Sequence, residues 1–586
     1  MADYKLDPAG PLKTQEIRLL EIYPSTDANQ ELRCRLFRLN LDAIELHPYE
    51  ALSYVWGDKK RRADISCNGQ IVSVTVNLFD ALRRLRLRHK PRVIWADAIC
   101  IDQESDSEKS CQVPLMGKLY SSAERVVVWL GKNDLAEAEG ALISVKLMAN
   151  HLRKVKEENV SKDYLEVCQT LQMPSDYTSG LTQEFLRCLY DKPWFSRVWC
   201  MQEIILARDS VMLWGELELS WTDVGEIATW LRNAEPVRAL EFENTAFYAD
   251  IECENANTLF AIRQRRHGLL DTLNDGRSFH ATDLRDKVYG MLALVEPAEE
   301  ARALTVDYDK DVGEVYADVV IAEIRSHSTL AVLAYVDHKS EYCSEGNFNS
   351  WVPLWDDPLG GPRHVPCFES SLSACGDVMV ELTDAAHLNS QYLRLKGYFY
   401  NKISTVHTNM DLDYMQNQEA RPFRDIVFTV LIDPRAGAEI ATKLARTLTA
   451  GSTSEMKDIS DAAKEEKRNF YASFLFYIRC LVEGIDFFEV RKNRQPPENF
   501  YDEAEIVCSH RRFFQMENGS FGIGPACMRN GDVVVVLFGG ESPYVLRPCG
   551  RSYLFMGQAY VDELMEGQLI DAMKAGQVQE REFFLV

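Results

Sequence analysis

Three short apolar runs near the start of the chain each stop abruptly at a polar or turn-forming residue. This pattern limits the possible folds more than any other feature. Ala51–Val55 runs into Trp56-Gly57-Asp58, Arg92–Ala96 stops at Asp97, and Arg125–Leu130 stops at Gly131. Segments with helical periodicity lie between them. Strand, helix, strand, helix in this order predicts an α/β fold with a mostly parallel sheet covered by helices on both faces. Ligands of such sheets sit beyond the carboxyl ends of the strands. Ser53, Trp56, Asp58 and Asp97 fall there, which makes them candidate binding residues.

The chain has 586 residues, too many for a single core, so several domains are expected. The formal charge of -24 counts against non-specific binding to nucleic acid or to anionic membranes. Met1-Ala2-Asp3-Tyr4-Lys5 lacks the basic-then-apolar pattern of a signal peptide. No run of about 18 apolar residues predicts a membrane span. The 15 cysteines are scattered without a C-x-x-C pair, which suits reduced thiols in a cytoplasmic protein. The 11 histidines include no H-x-x-x-H pair, so no metal site is expected.

Along the chain, Ile17–Ile22 and Leu32–Phe37 read as a hairpin within a leading segment, 1–44. Asn68-Gly69 predicts a second hairpin between Asp64–Ser66 and Ile71–Thr75. A helix follows, with Asn77 as its expected N-cap and Leu78, Ala81, Leu82 and Leu85 as its buried stripe. Ser105 and Glu108 have capping-box spacing. Pro114 is expected to kink the next helix or to start it. Residues 134–172 read as a polar helical surface insertion. Helical spacing draws Glu203 toward the interior beside Trp199, Cys200 and Ala207. A carboxylate in that position needs a partner or a function. Residues 208–338 read as mainly helical, with Arg285 and Asp286 expected to pack and to pair across the domain contact. An irregular linker is expected at 339–390. Residues 391–586 hold a charged helical part and a small β barrel or sandwich. The glycines of Gly519–Gly524 lie between short strands, so they read as turn residues and not as a dinucleotide fingerprint.

Three blocks in order resemble the heterokaryon incompatibility (HET) domain of filamentous fungi. They are Tyr49–Asp58, Ile94–Gln103 continuing through Glu108-Lys109 and Met116 to Val128–Gly131, and Pro193–Glu203. The resemblance covers about residues 45–207. Asp102 stands where the family usually has Asn, and Pro114 interrupts the second block. The HET domain in turn resembles a divergent TIR domain. Leu52–Asp58 is similar to the first TIR strand and its loop. Ser196–Ile204 is similar to a plant TIR segment ending in a catalytic glutamate. This second likeness implies a flavodoxin-like sheet and cleavage of NAD, as a substrate rather than a resident cofactor, at the nicotinamide–ribose bond.

On that reading Glu203 is the catalytic carboxylate. Ser53, Tyr54, Trp56, Gly57, Asp58, Asp97 and Trp129 form the substrate site. Breaking an N-glycosidic bond places oxocarbenium character on the ribose, which a nearby carboxylate stabilises. Nicotinamide leaves as a neutral ring, so one carboxylate can suffice. Structural roles stand beside these. Trp95, Trp129 and Trp199 fit core aromatics, Asp97 fits a helix cap, and Glu203 fits an ion pair with Arg197 or another arginine. A HET domain that self-associates or binds an unknown protein partner would need no chemistry at all. A cysteine hydrolase would need a histidine near Cys100 or Cys200, and only His47 and His89 are close in sequence.

Overall fold

The structure is a computed structural model. It describes Leu12 and residues 15–42, 47–132, 135–162, 164–171, 173–174, 177, 179–239, 251–265, 267–338, 348–358, 373–380, 388–389, 391–410, 421–431, 438–452, 459, 464–483, 485, 490 and 500–586. The signal-peptide reading of Met1–Lys5 and most of the expected linker at 339–390 lie outside the described residues. The chain divides into two compact units: Met1–Val312 with Trp355–Leu359, and Gly313–Leu354 with Gly360–Val586.

The first unit is built on a nine-stranded sheet. Its strands are β1 (Glu16–Ile22), β2 (Arg33–Asn40), β3 (Glu50–Tyr54), β4 (Arg62–Cys67), β5 (Gln70–Thr75), β6 (Arg92–Trp95), β7 (Arg125–Trp129), β8 (Ser210–Trp214) and β9 (Leu217–Leu219). The spatial order is β5-β4-β2-β1-β6-β3-β7-β8-β9. The expected parallel strands are present: Ala51 pairs with Trp95 and with Val126, and Val128 with Met212, all in parallel register. Their connections carry helices, as parallel crossovers require. These are α1 (Val76–Leu85) before β6, then α2 (Asp97–Cys100), α3 (Asp106–Gln112) and α4 (Met116–Ser122) before β7. Next come α5 (Leu135–Glu158), α6 (Tyr164–Thr170), α7 (Gly180–Tyr190) and α8 (Trp199–Ile205) before β8, and α9 (Trp221–Ala239) after β9.

The sheet is mixed, not mostly parallel as expected. The reason lies in its tight hairpins. β1 and β2 pair antiparallel, and β1 then joins β6 antiparallel. β4 and β5 close a hairpin at Asn68-Gly69, both at positive φ, and attach to β2. The leading hairpin is therefore part of the central sheet. The parallel core of this sheet, β6-β3-β7-β8, runs 2-1-3-4 in chain order, the strand order of a doubly wound sheet, and the antiparallel strands are added on its flanks.

Two further expectations are corrected. The segment read as a polar surface insertion is core: α5 buries Ala138, Ala141, Val145, Met148, Ala149 and Leu152. Its apolar residues sit at helical spacing diluted by charge, which hides the stripe. Of Arg285 and Asp286, only Asp286 reaches across to the segment before 208, and Arg285 forms its ion pair locally. Arg285 meets Asp283 at 2.7 Å, while Asp286 accepts from Trp199 and Tyr308.

One glycine carries a testable packing claim. Gly225 lies in α9, where Ala would ordinarily be favoured by about 1 kcal/mol. A Cβ there would meet the Phe260 ring and Cβ at 2.1–2.9 Å. Gly225→Ala is therefore expected to destabilise by about 1–3 kcal/mol. Urea denaturation showing a gain in stability would refute this.

The second unit holds a closed β barrel. β10 (Leu388–Asn389) pairs with the long strand β11 (Tyr392–Asn409). β11 also pairs with β12 (Arg511–Met516), β14 (Val533–Leu537) and β17 (Arg581–Leu585). The ring closes through β15 (Tyr544–Cys549) and β16 (Ser552–Gln558), with Tyr553 of β16 beside Leu585. Full closure removes exposed strand edges. Tyr398, Val534, Val536, Val545 and Met556 belong to one core of this unit. A second core joins helices Arg421–Leu431, Ala438–Leu448, Lys464–Glu483 and Phe500–Cys508 to Phe513 of β12 and to Phe521 and Ile523 of β13 (Phe521–Pro525). The Gly519–Gly524 glycines lie in the turn and strand between β12 and β13, and no helix opens there.

Candidate functional site

The parallel strands deliver three loops to one end of the first unit. β3 ends before Trp56-Gly57, β6 before Asp97 and β7 before Gly131. Gly57 and Gly131 adopt φ of +72° and +102°, conformations that side chains resist. Asn77 ties two of these loops together. Its Nδ2 donates to the Val55 carbonyl at 2.6 Å, and its Oδ1 accepts from Trp129 Nε1 at 2.9 Å. It does so from inside α1, because Thr75 is the N-cap, accepting from the Leu78 amide. The expected Asn77 cap is thus corrected: the cap is Thr75, two residues earlier, which frees Asn77 to reach across.

Glu203 lies at the centre of the end layer. It sits on α8 and is 3% exposed. Ser53 Oγ donates to its Oε2, and Trp194 Nε1 donates to Ser53 Oγ at 2.7 Å. Trp194 comes from a 3-10 turn, Pro193–Ser196, started by proline, and stacks edge-on against Trp221 and Phe195. Burial pushes the Glu203 carboxyl up to about 7, against the pull of Arg197 and the Ser53 hydrogen bond. Arg197 donates to the Tyr54 carbonyl, so the expected Arg197–Glu203 ion pair is not a direct one. Burial works against the Arg197 charge, but Glu203 and Asp97 outweigh it and hold the guanidinium above its usual range.

Asp97 stands beside this group on a half-buried position after β6. Its Oδ2 accepts from Trp56 Nε1 at 2.8 Å, and its Oδ1 from the Ala98 amide at 2.8 Å. It is the first residue of α2, whose N-cap is Ala96, so the expected helix-cap role is corrected; what its side chain holds is Trp56. The Tyr54 hydroxyl is buried with no hydrogen-bond partner. Burial, and then Asp97, raise it well above its usual range.

The structure brings Ser53, Tyr54, Asp97 and Glu203 together, with Trp56 hydrogen-bonded to Asp97 and crossed by Lys59 Nζ 5.4 Å from its ring centroid. Gly57 and Asp58 lie on the exposed loop, where Asp58 Oδ1 accepts from the Lys60 amide. Trp129 is buried and spends its indole N–H on Asn77. Sequence reasoning missed Trp194 and Asn77 as parts of this layer. Their only signal was an indole and an amide, with nothing in spacing to reveal their targets.

Cys100 and Cys200 offer no nucleophile. Burial pushes Cys100 up to about 12 and Cys200 well above its usual value, so neither is a thiolate near neutral pH. Among the described residues no cluster of His, Cys, Asp and Glu could hold a metal ion. No described helix is long and apolar enough to cross a membrane. What the layer offers is one carboxyl poised near neutrality, a fixed arginine, a second carboxylate and an unsatisfied phenol.

Comparison with known proteins agrees with this arrangement at both ends of the chain. Residues 49–203 match the family described as heterokaryon incompatibility protein (HET). Residues 488–586 match the Het-6 beta-barrel domain, the region of the closed barrel. The chain is also similar to heterokaryon incompatibility protein 6, OR allele, of Neurospora crassa, at 25% identity over 97% of this chain and 96% of that protein. No solved structure matches. The chain thus carries the heterokaryon incompatibility (HET) domain at 49–203 and the Het-6 beta-barrel domain at 488–586, and it is similar along nearly its whole length to a fungal heterokaryon incompatibility protein.

Proposed function

We propose that this chain is a cytoplasmic effector of programmed cell death in fungal nonself recognition, and that its first unit cleaves NAD at the nicotinamide–ribose bond. The match to this family supports the role in nonself recognition. The cleavage reading is carried by one observation: Glu203, buried at the carboxyl end of a parallel strand, is fixed by Ser53 and set near neutrality. An ionised carboxylate there can stabilise the oxocarbenium-like ribose as neutral nicotinamide departs. Asp97 is the group to bind a ribose hydroxyl, with the buried Tyr54 hydroxyl beside it.

Purified protein incubated with NAD is expected to release nicotinamide and ADP-ribose or a cyclic form of it. Because the ionised form of Glu203 does the work, the rate should rise with pH through about 7 and level off above it. A second reading is favoured by the depth of the layer, since Glu203 is 3% exposed and Ser53 0%. On that reading the unit self-associates or binds a protein partner, and the carboxyl is structural. Toxicity in cells without nicotinamide release by the pure protein would decide for it.

A further inference from the structure

We infer that Asp286 is a positioning residue for Glu203, acting through Trp199 from a segment that follows the matched HET stretch. The inference rests on reading Glu203 as the central carboxyl of the site. α8 has seven residues, too few to hold its own place, so tertiary contacts must fix it. Besides β3, which supplies Ser53, residues after 203 supply several of those contacts. Asp286 Oδ2 accepts from Trp199 Nε1 at 3.0 Å. The Tyr289 carbonyl accepts from Gln202 at 3.2 Å. Arg263 donates to the Ile204 and Ala207 carbonyls at 2.9 and 3.0 Å, satisfying the end of the helix. The Val198 amide donates to the His280 carbonyl at 3.0 Å.

Among these, the Asp286 contact sets rotation. Trp199 precedes Glu203 by four residues, one turn of the same helix face. Fixing the indole therefore fixes the angle at which Glu203 meets Ser53. Asp286 is itself held on its other oxygen by the Tyr308 hydroxyl at 2.7 Å. Arg285 beside it is tied to Asp283 and to the Lys310 carbonyl. The HET site on this account is completed by residues 263–310, within the same compact unit.

The test reads the site without turnover. Trp194 donates to Ser53, which donates to Glu203, so the Trp194 indole N–H resonance reports the protonation of Glu203. The resonance is assigned by Trp194→Phe and followed in the full chain from acid to alkaline pH. Losing a hydrogen bond that sets the carboxyl's place should move the midpoint by about half a unit to one unit. Asp286→Ala and Trp199→Phe are both expected to do so. Asp286→Asn keeps an acceptor for the indole and should leave the midpoint in place. If Asp286→Ala does not fold, Trp199→Phe, which keeps most of the ring, carries the test alone. An unmoved midpoint in folded Trp199→Phe overturns the inference, and so does an Asn variant that moves as far as Ala. NAD cleavage plays no part in the readout, so its absence would count against the proposed activity and leave this result standing.

Discussion

Glu108→Ala is expected to destabilise the first unit by about 3–5 kcal/mol. Glu108 and Arg18 are 9% and 2% exposed, and they meet through two hydrogen bonds of 2.5 and 3.1 Å. Arg18 also donates to the Cys100 carbonyl, and Glu108 accepts from the Asp102 amide. Removing the carboxylate strands a guanidinium in the core and orphans an amide. The penalty is that of an uncompensated buried charge, not the net worth of the pair. Arg18→Met with Glu108→Leu should therefore recover much of the loss, since an apolar pair of similar volume is often neutral or stabilising. Denaturant unfolding of the single and double variants checks both claims. A single variant within about 1 kcal/mol of the wild type would mean that water reaches the guanidinium.

This pair also shows where sequence legibility ended. Ser105 and Glu108 have capping-box spacing, and Ser105 does accept from the Glu108 amide at 3.2 Å. The Glu108 side chain is spent elsewhere, on an arginine 90 positions earlier. A local pattern predicts the local bond and is silent about the distant one. The same holds for the sheet. The apolar runs at 51–55, 93–96 and 126–130 marked the parallel strands because strands buried on both sides are continuously apolar. They could not show that β1 joins β6 antiparallel, since strand order depends on connections across 70 residues. In the second unit the long strand β11, Tyr392–Asn409, was equally hard to read. Register shifts after Phe399 and Ile403 break the alternation that would have revealed its length.

The site was legible where the residue type alone set its fate. Glu203 at helical spacing among Trp199, Cys200 and Ala207 had to face inward, and it does. Its partner was not legible. Arg197 stood six residues away and offered the obvious charge, yet the carboxyl takes a serine from β3. The arginine instead donates to the Tyr54 carbonyl, one residue beyond that serine. Both choices follow from where β3 ends, which no spacing within 193–203 encodes. Asp97 was expected to cap the next helix, but it is that helix's first residue, and one of its oxygens holds Trp56, a bond no spacing announced.

Glu203→Gln is expected to abolish NAD cleavage while raising stability above neutral pH. Burial lifts the folded-state carboxyl to about 7, above the unfolded value near 4.5. The folded protein then binds the proton more tightly than the unfolded chain does. Between these values stability contributed by this group falls as pH rises, and above about 7 the full cost of a buried charge remains. A gap of this size corresponds to about 3 kcal/mol at most. Gln keeps the size of the side chain and an oxygen to accept from Ser53, without the charge. The variant should match the wild type near pH 4 and exceed it near pH 8, and its melting should vary less with pH between them. Loss of a transition-state electrostatic contact costs about 10²–10³ in rate, so nicotinamide release should fall by at least that factor. The two measurements separate the roles. A stably folded variant that still cleaves NAD removes Glu203 from the chemistry. A variant that melts far lower at pH 8 shows that the charge holds the layer together through Arg197, and that the carboxylate is structural.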